Sequence, residues 1–136
     1  MTKYYDDTCI WRDYYENRSD KLKPLGEFAL LFFNNVIKNK DIILISDVII
    51  DELSINYSLE QINLIFKVIK ENNLLIKINL DKKIMNDAYL LHADLKLGKG
   101  DAINSAIAKK YSAILVTRDF HYLITDIVIR KPEDLI

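Results

Sequence analysis

Two runs of β-branched and leucine residues constrain this chain most. Asp41-Ile42-Ile43-Leu44-Ile45-Ser46 and Ala113-Ile114-Leu115-Val116-Thr117 are apolar at successive positions. They lack the in–out alternation of a strand with one face in water, and so read as strands covered on both sides. Residues 74–78 read the same way. Residues 3–7 form a short Tyr-rich strand that stops at Asp6-Asp7, and residues 126–129 suit a last strand at the sheet edge. Helical patterns lie between them. Residues 25–39 follow Pro24, and Ser58-Leu59-Glu60-Gln61 is a capping box opening a helix to about Asn72. Ile84, Ala88, Leu91 and Leu95 recur at helical spacing in residues 82–97, with Gly98 as the stop. Asp101 opens a further helix through Lys110. Alternating strands and helices predict an α/β domain with a mostly parallel sheet of about five strands and helices on both faces.

The 136 residues suit one domain, with no internal repeat or linker. Half of them are apolar and 29% charged, which excludes intrinsic disorder. No apolar run reaches the roughly 18 residues of a membrane span. The first seven residues carry two aspartates where a secretory signal would be apolar. The single Cys9 excludes an intramolecular disulfide and a Cys-rich zinc site. A soluble cytoplasmic protein is expected. Lys and Arg number 19 against 20 Asp and Glu, so no basic excess announces a nucleic-acid binder. Were four carboxylates occupied by a metal ion, the remainder would be net basic.

Four carboxylates fall where a parallel sheet gathers reactive groups, beyond the carboxyl ends of strands. Asp7 ends the first strand, and Asp119 follows the strand at 113–117 by two residues. Asp101 lies in the first turn of its helix, and Glu52 on the short helix after residues 41–46. Singly each has a bland reading, as an N-cap, a turn former or a solvated charge. Glu52 is the informative one. At 100° per residue it shares a helix face with Val48 and Ile55, while Asp47, Asp51, Ser54 and Ser58 occupy another. A carboxylate on an inward stripe needs a partner, and no Lys or Arg occurs between Asp41 and Phe66. Several acids in one pocket raise one another's pKa values unless a cation joins them. Mg²⁺ or Mn²⁺ with oxygen ligands fits, and phosphodiester hydrolysis is the chemistry such ions support.

Asp7-Thr8 after a first strand, Glu52 within Ser46-Asp47-Val48-Ile49-Ile50-Asp51-Glu52-Leu53, Asp101-Ala102 at a helix start and Leu115-Val116-Thr117-Arg118-Asp119 together resemble a PIN domain. The similarity is closest to the VapC-type ribonuclease toxins and their archaeal relatives, and it spans nearly the whole chain. It implies a Rossmann-like three-layer fold and a Mg²⁺- or Mn²⁺-dependent endoribonuclease acting on RNA. It also implies that Asp7, Glu52, Asp101 and Asp119 ligate the metal and position the attacking water. Thr8 and Thr117 would support them. A small antitoxin and homodimerisation are the partners such a resemblance suggests. One departure is that Phe120 directly follows Asp119, where many relatives place a phenylalanine after a spacer.

Other residues carry weaker expectations. Arg118 suits a phosphate contact because of its fork of donors, and Lys99, Lys109 and Lys110 are near the same acids in sequence. The stretch 12–23, with Tyr14, Tyr15, Arg18, Lys21 and Lys23, reads as a solvated helix end and loop, with a nucleic-acid groove as the sharper reading. Neither His92 nor His121 has zinc-site spacing; His121 suits a surface role, with a phosphate contact as its functional reading. Cys9 reads as a small buried residue. A PIN-like module that binds RNA or protein without cutting is the alternative function. A receiver-like phosphorylation domain built on Asp6-Asp7 ranks below both, since no lysine follows a late strand as it requires.

Overall fold

The computed structural model describes residues 1–136. Its elements follow the chain as β1 (Lys3–Asp6), α1 (Thr8–Glu16), α2 (Leu25–Asn39), β2 (Ile42–Ile45), α3 (Asp47–Ser54), α4 (Leu59–Glu71), β3 (Leu75–Lys77), α5 (Lys82–Leu95), α6 (Lys99–Lys110), β4 (Ile114–Val116) and β5 (Ile129–Arg130). Short 3₁₀ helices cover Phe120–Ile124 and Pro132–Leu135. The five strands form one sheet in the order β3-β2-β1-β4-β5, and every neighbouring pair is parallel. The predicted α/β class holds.

Both faces of the sheet are covered, which explains the unbroken apolar runs. Tyr4 packs edge-on against Phe32 of α2 on one side, while Tyr5 points the other way and reaches Asn104 of α6. Trp11 of α1 stacks on Phe33 of α2 and meets Phe66 of α4 edge-on. Burying each such aromatic contributes on the order of 2–3 kcal/mol, so this triple contact joins the helices of one layer. No helix is long and apolar enough to cross a membrane.

The strand order decides where a site can form. From β1 the chain steps outward through β2 to β3, then returns to the other side of β1 for β4 and β5. The order therefore reverses at β1, and a crevice opens beyond the carboxyl ends of β1 and β4. The crevice acids lie there.

Several boundaries differ from the sequence reading. The capping box at Ser58 forms with both of its hydrogen bonds. The helix of residues 82–97 stops at Leu95, because Lys96 takes a left-handed backbone (φ 56°) and caps it. Gly98 is the N-cap of α6, which starts at Lys99 ahead of Asp101. The edge strand is Ile129–Arg130, later than 126–129, because Val116 is held in register with Arg130. The helix face assigned to Val48, Glu52 and Ile55 needs correction. Ile49 and Leu53 face the core, Ile55 is exposed, and Glu52 lies on the border turned towards the crevice.

Candidate metal and nucleic-acid site

A cleft of about 420 Å³ opens at the crevice, and Asp7, Glu52, Asp101 and Asp119 all line it. The structure thus brings together carboxylates drawn from the β1–α1 junction, α3, α6 and the segment after β4. Asp7 is the N-cap of α1, its Oδ1 accepting from the Thr8 amide at 2.9 Å. Its Oδ2 accepts from Thr117 Oγ1 at 2.8 Å. The hydroxyl of Thr8 donates to Glu52 Oε2 at 2.9 Å. Thr117 Oγ1 also accepts from the Asp119 amide at 3.0 Å, so one threonine at the end of β4 steadies two acids. Thr8 and Thr117 therefore each bond directly to a carboxylate of the cleft.

Gly100 makes room for Glu52. A Cβ there would stand 3.3 Å from Glu52 Oε1 and 3.5 Å from Val48 Cγ1, so a side chain on the first turn of α6 would press on the carboxylate. Asp119 caps the following 3₁₀ helix, accepting from the His121 amide at 2.8 Å, and His121 Nδ1 lies 3.0 Å from the same oxygen. His121 Nδ1 is also 3.9 Å from Asp101 Oδ2. One donor atom each from Asp101, Asp119 and His121 lies within 4.8 Å of the others.

The electrostatics of the cleft are strained. Burial pushes the Asp7 carboxyl up to about 6, against the hydrogen bonds from Thr117 and Thr8, with Glu52 and Asp101 adding repulsion. Glu52 is also raised, first by burial and then by Asp101, although Thr8 opposes it. Three acids thus crowd one another with no lysine or arginine paired to any of them. Next to Asp7, Asp6 is fully buried and neither of its oxygens has a hydrogen-bond partner. Burial and the nearby Asp7 hold its carboxyl well above the usual range.

The cations near the cleft are committed elsewhere. Arg118 lines it, but its guanidinium is shared between Asp13 Oδ2 at 3.2 Å and Glu133 at 2.9 Å. Arg18 binds the other oxygen of Asp13 at 2.8 Å. Lys109 pairs with Asp126 and Lys110 with Asp81 near the far end of α6, and Lys99 lies in the groove between α5 and α6. These lysines, near the acids in sequence, do not line the cleft. The 12–23 stretch divides: residues 19–23 are exposed as the solvated reading has it, whereas Arg12 and Arg18 line the cleft and Asp13 is 1% exposed. Arg12 escaped the sequence reading, although it lies one helical turn after Thr8 and so shares its face. Cys9 lines the cleft as well, half-buried, its thiol pushed up to about 12 by burial.

A divalent cation fits this donor set. The donor atoms are hard oxygens with an imidazole at the rim, and no lysine or arginine is paired to the crowded Asp7, Glu52 and Asp101. Comparisons with known proteins agree with the topology. No match is found among curated sequences. Among solved structures the chain resembles VapBC2 from Rickettsia felis, determined with a DNA fragment from its promoter. That likeness has TM-score 0.70 and 17% identity, covering 96% of this chain and 98% of that one. It also resembles a toxin–antitoxin complex from Klebsiella pneumoniae (TM-score 0.69, 19% identity, 95% and 97% covered). A third similar structure is FitAcB from Neisseria gonorrhoeae (TM-score 0.62, 14% identity, 94% and 96% covered). At these identities the likeness is one of fold. The family itself follows from the sequence, whose residues 4–126 match the PIN domain model, and the crevice acids sit within that span: this chain belongs to the PIN domain family.

Proposed function

We propose that this protein is a divalent-metal-dependent endoribonuclease, the toxin of a toxin–antitoxin pair. The observation that carries the reading is the crowding of Asp7, Glu52 and Asp101 around one cleft with no lysine or arginine paired to any of them. Asp7, Glu52, Asp101 and Asp119 would hold Mg²⁺ or Mn²⁺, and the ion would neutralise charge on the phosphodiester and activate water. The chain's own residues do the positioning. Thr8 and Thr117 orient Glu52 and Asp7, and Arg12 at the rim, whose Nε already bonds Glu16 and Tyr57, would meet a phosphate of the bound strand through its terminal nitrogens. Arg118 is a weaker substrate contact than its sequence position suggests, because Asp13 and Glu133 occupy its donors. An antitoxin partner belongs to this reading because one of the structures it resembles is a toxin–antitoxin complex. Homodimerisation and a cytoplasmic site of action belong to it as well.

Cleavage of single-stranded RNA under Mn²⁺ or Mg²⁺ tests the proposal. Activity should vanish with EDTA and fall at least about a hundredfold in Asp101→Asn. RNA binding without cleavage, together with the absence of a carboxylate-dependent Mn²⁺ site in isothermal titration, would establish the binding-module alternative instead.

His121 makes a second expectation. An imidazole nitrogen favours Mn²⁺ over Mg²⁺, which prefers oxygen. With His121 Nδ1 close to both Asp119 and Asp101, His121→Ala should weaken Mn²⁺ binding about tenfold and leave Mg²⁺ binding nearly unchanged. Equal losses for the two ions in parallel titrations would remove His121 from the ligand set.

A further inference from the structure

Behind the cleft, five polar side chains form an unbroken line through the core. Ser46 Oγ and the Tyr5 hydroxyl lie 2.7 Å apart. Tyr5 donates to Asn104 Oδ1 at 2.6 Å, Asn104 Nδ2 donates to the Tyr122 hydroxyl at 3.1 Å, and Tyr122 donates to Asp101 Oδ1 at 2.9 Å. Ser46, Tyr5, Asn104 and Tyr122 are all inaccessible to solvent.

The direction of every proton in the line is forced. Tyr122 gives its single proton to Asp101 Oδ1. The Tyr122 oxygen must then accept, which turns the Asn104 amide nitrogen towards it and the amide oxygen towards Tyr5. Tyr5 gives its proton to that oxygen and accepts from Ser46. Ser46 in turn accepts from the Val48 amide at 3.2 Å as the N-cap of α3. A buried polar line is costly where its atoms are left without partners, and each polar atom of this one has a partner. Its ends are informative. One is the cap of the helix that carries Glu52, and the other is Asp101 itself. Tyr122 also belongs to the 3₁₀ helix capped by Asp119, so its hydroxyl ties the segment bearing one acid to the carboxylate of another.

We propose that Tyr122 is a positioning residue, held by Asn104 and Tyr5, that grips Asp101 by Oδ1 and leaves Oδ2 turned to the cleft as the oxygen offered to a divalent cation. The inference rests on the metal-dependent reading above and deepens it, since it assigns the bond that orients one proposed ligand. Removing a hydrogen bond to a metal-ligating carboxylate costs about ten- to a hundredfold in metal affinity.

Isothermal titration of the full chain with Mn²⁺, well below its melting temperature, tests this with two variants that each lose a single oxygen. Tyr122→Phe should weaken Mn²⁺ binding at least about tenfold, and Tyr5→Phe, two links further from Asp101, should weaken it by only about two- to threefold. A merely structural role would lower the melting temperature of both variants and leave both affinities alone. Tyr122→Phe within twofold of the wild type, or a Tyr5→Phe loss as large as that of Tyr122→Phe, overturns the assignment while the nuclease reading stands. Failure of the wild type to bind Mn²⁺ overturns both.

Discussion

Asp7→Asn should abolish metal-stimulated RNA cleavage and, in the same molecule, raise the melting temperature of the metal-free protein at neutral pH. The two effects share one cause. In the folded state the Asp7 carboxyl is pushed up to about 6 from an ordinary value of 3.8, chiefly by burial. The folded chain therefore binds this proton more tightly than the unfolded chain, and stability falls as pH rises between those values. Below about pH 4 both states are protonated and the cost disappears. Above about pH 6 it is present in full, on the order of 3 kcal/mol. The amide of Asn carries no charge, can still accept from Thr8 or Thr117, and can donate to the neighbouring acids. A gain of about 2 kcal/mol at pH 7, or roughly 5–10 °C, is the expectation, shrinking to nothing near pH 4. Thermal melts of wild type and variant across this range check it. Saturating Mn²⁺ should reverse the order at pH 7, since an ion at 100 times its dissociation constant stabilises by about 2.7 kcal/mol and only the wild type retains a full ligand set. A variant that melts with or below the wild type at every pH would show that Asp7 is not strained.

The second large effect is expected at Asp13. This carboxylate is 1% exposed and divides its oxygens between Arg18 and Arg118. The Arg118 side chain, 18% exposed, is held on its other side by Glu133. Removing one partner of a buried ion pair leaves the other charge desolvated, which costs about 3–5 kcal/mol. Asp13→Ala should thus melt about 10 °C or more below the wild type. Asp13→Asn, whose amide oxygen still accepts from one guanidinium, should lose less. Glu133 is more exposed, and Glu133→Ala should cost about 1 kcal/mol or less. The ranking in denaturant melts is the test. Equal losses at Asp13 and Glu133 would mean that the exposed half of the cluster matters as much as the buried half. The same cluster has a functional side, because it immobilises Arg118 and Arg18 at the cleft wall.

The acids were legible in the sequence for a geometric reason. A parallel sheet places the residues after its strands on one rim, so Asp7 and Asp119 could be located from strand ends alone, and the lack of any Lys or Arg around Glu52 flagged its unpaired charge. What stayed hidden depends on tertiary partners. Nothing local marks Asp13 as an interior acid, since its neighbours Arg12, Tyr14 and Tyr15 give the helix an ambiguous face; its burial follows from two arginines, one of them more than a hundred residues away. Asn104 reads as an ordinary polar residue on α6, and Tyr5 and Tyr122 as core aromatics, until the sheet and the 3₁₀ helix bring their polar atoms into line. The end of α5 was missed because a lysine, Lys96, adopts the left-handed cap that a glycine usually supplies.

The strand order also governs when the cleft can exist. β1 lies in the middle of the sheet, yet its second neighbour, β4, is separated from it by more than a hundred residues. Until that late segment docks, the central strand keeps an open edge, Thr117 is not in place to grip Asp7, and Asp119 is elsewhere. Non-local pairings of this kind form slowly. A partly synthesised or clipped chain would therefore lack the cleft, which would form in a single step when β4 and the segment after it dock.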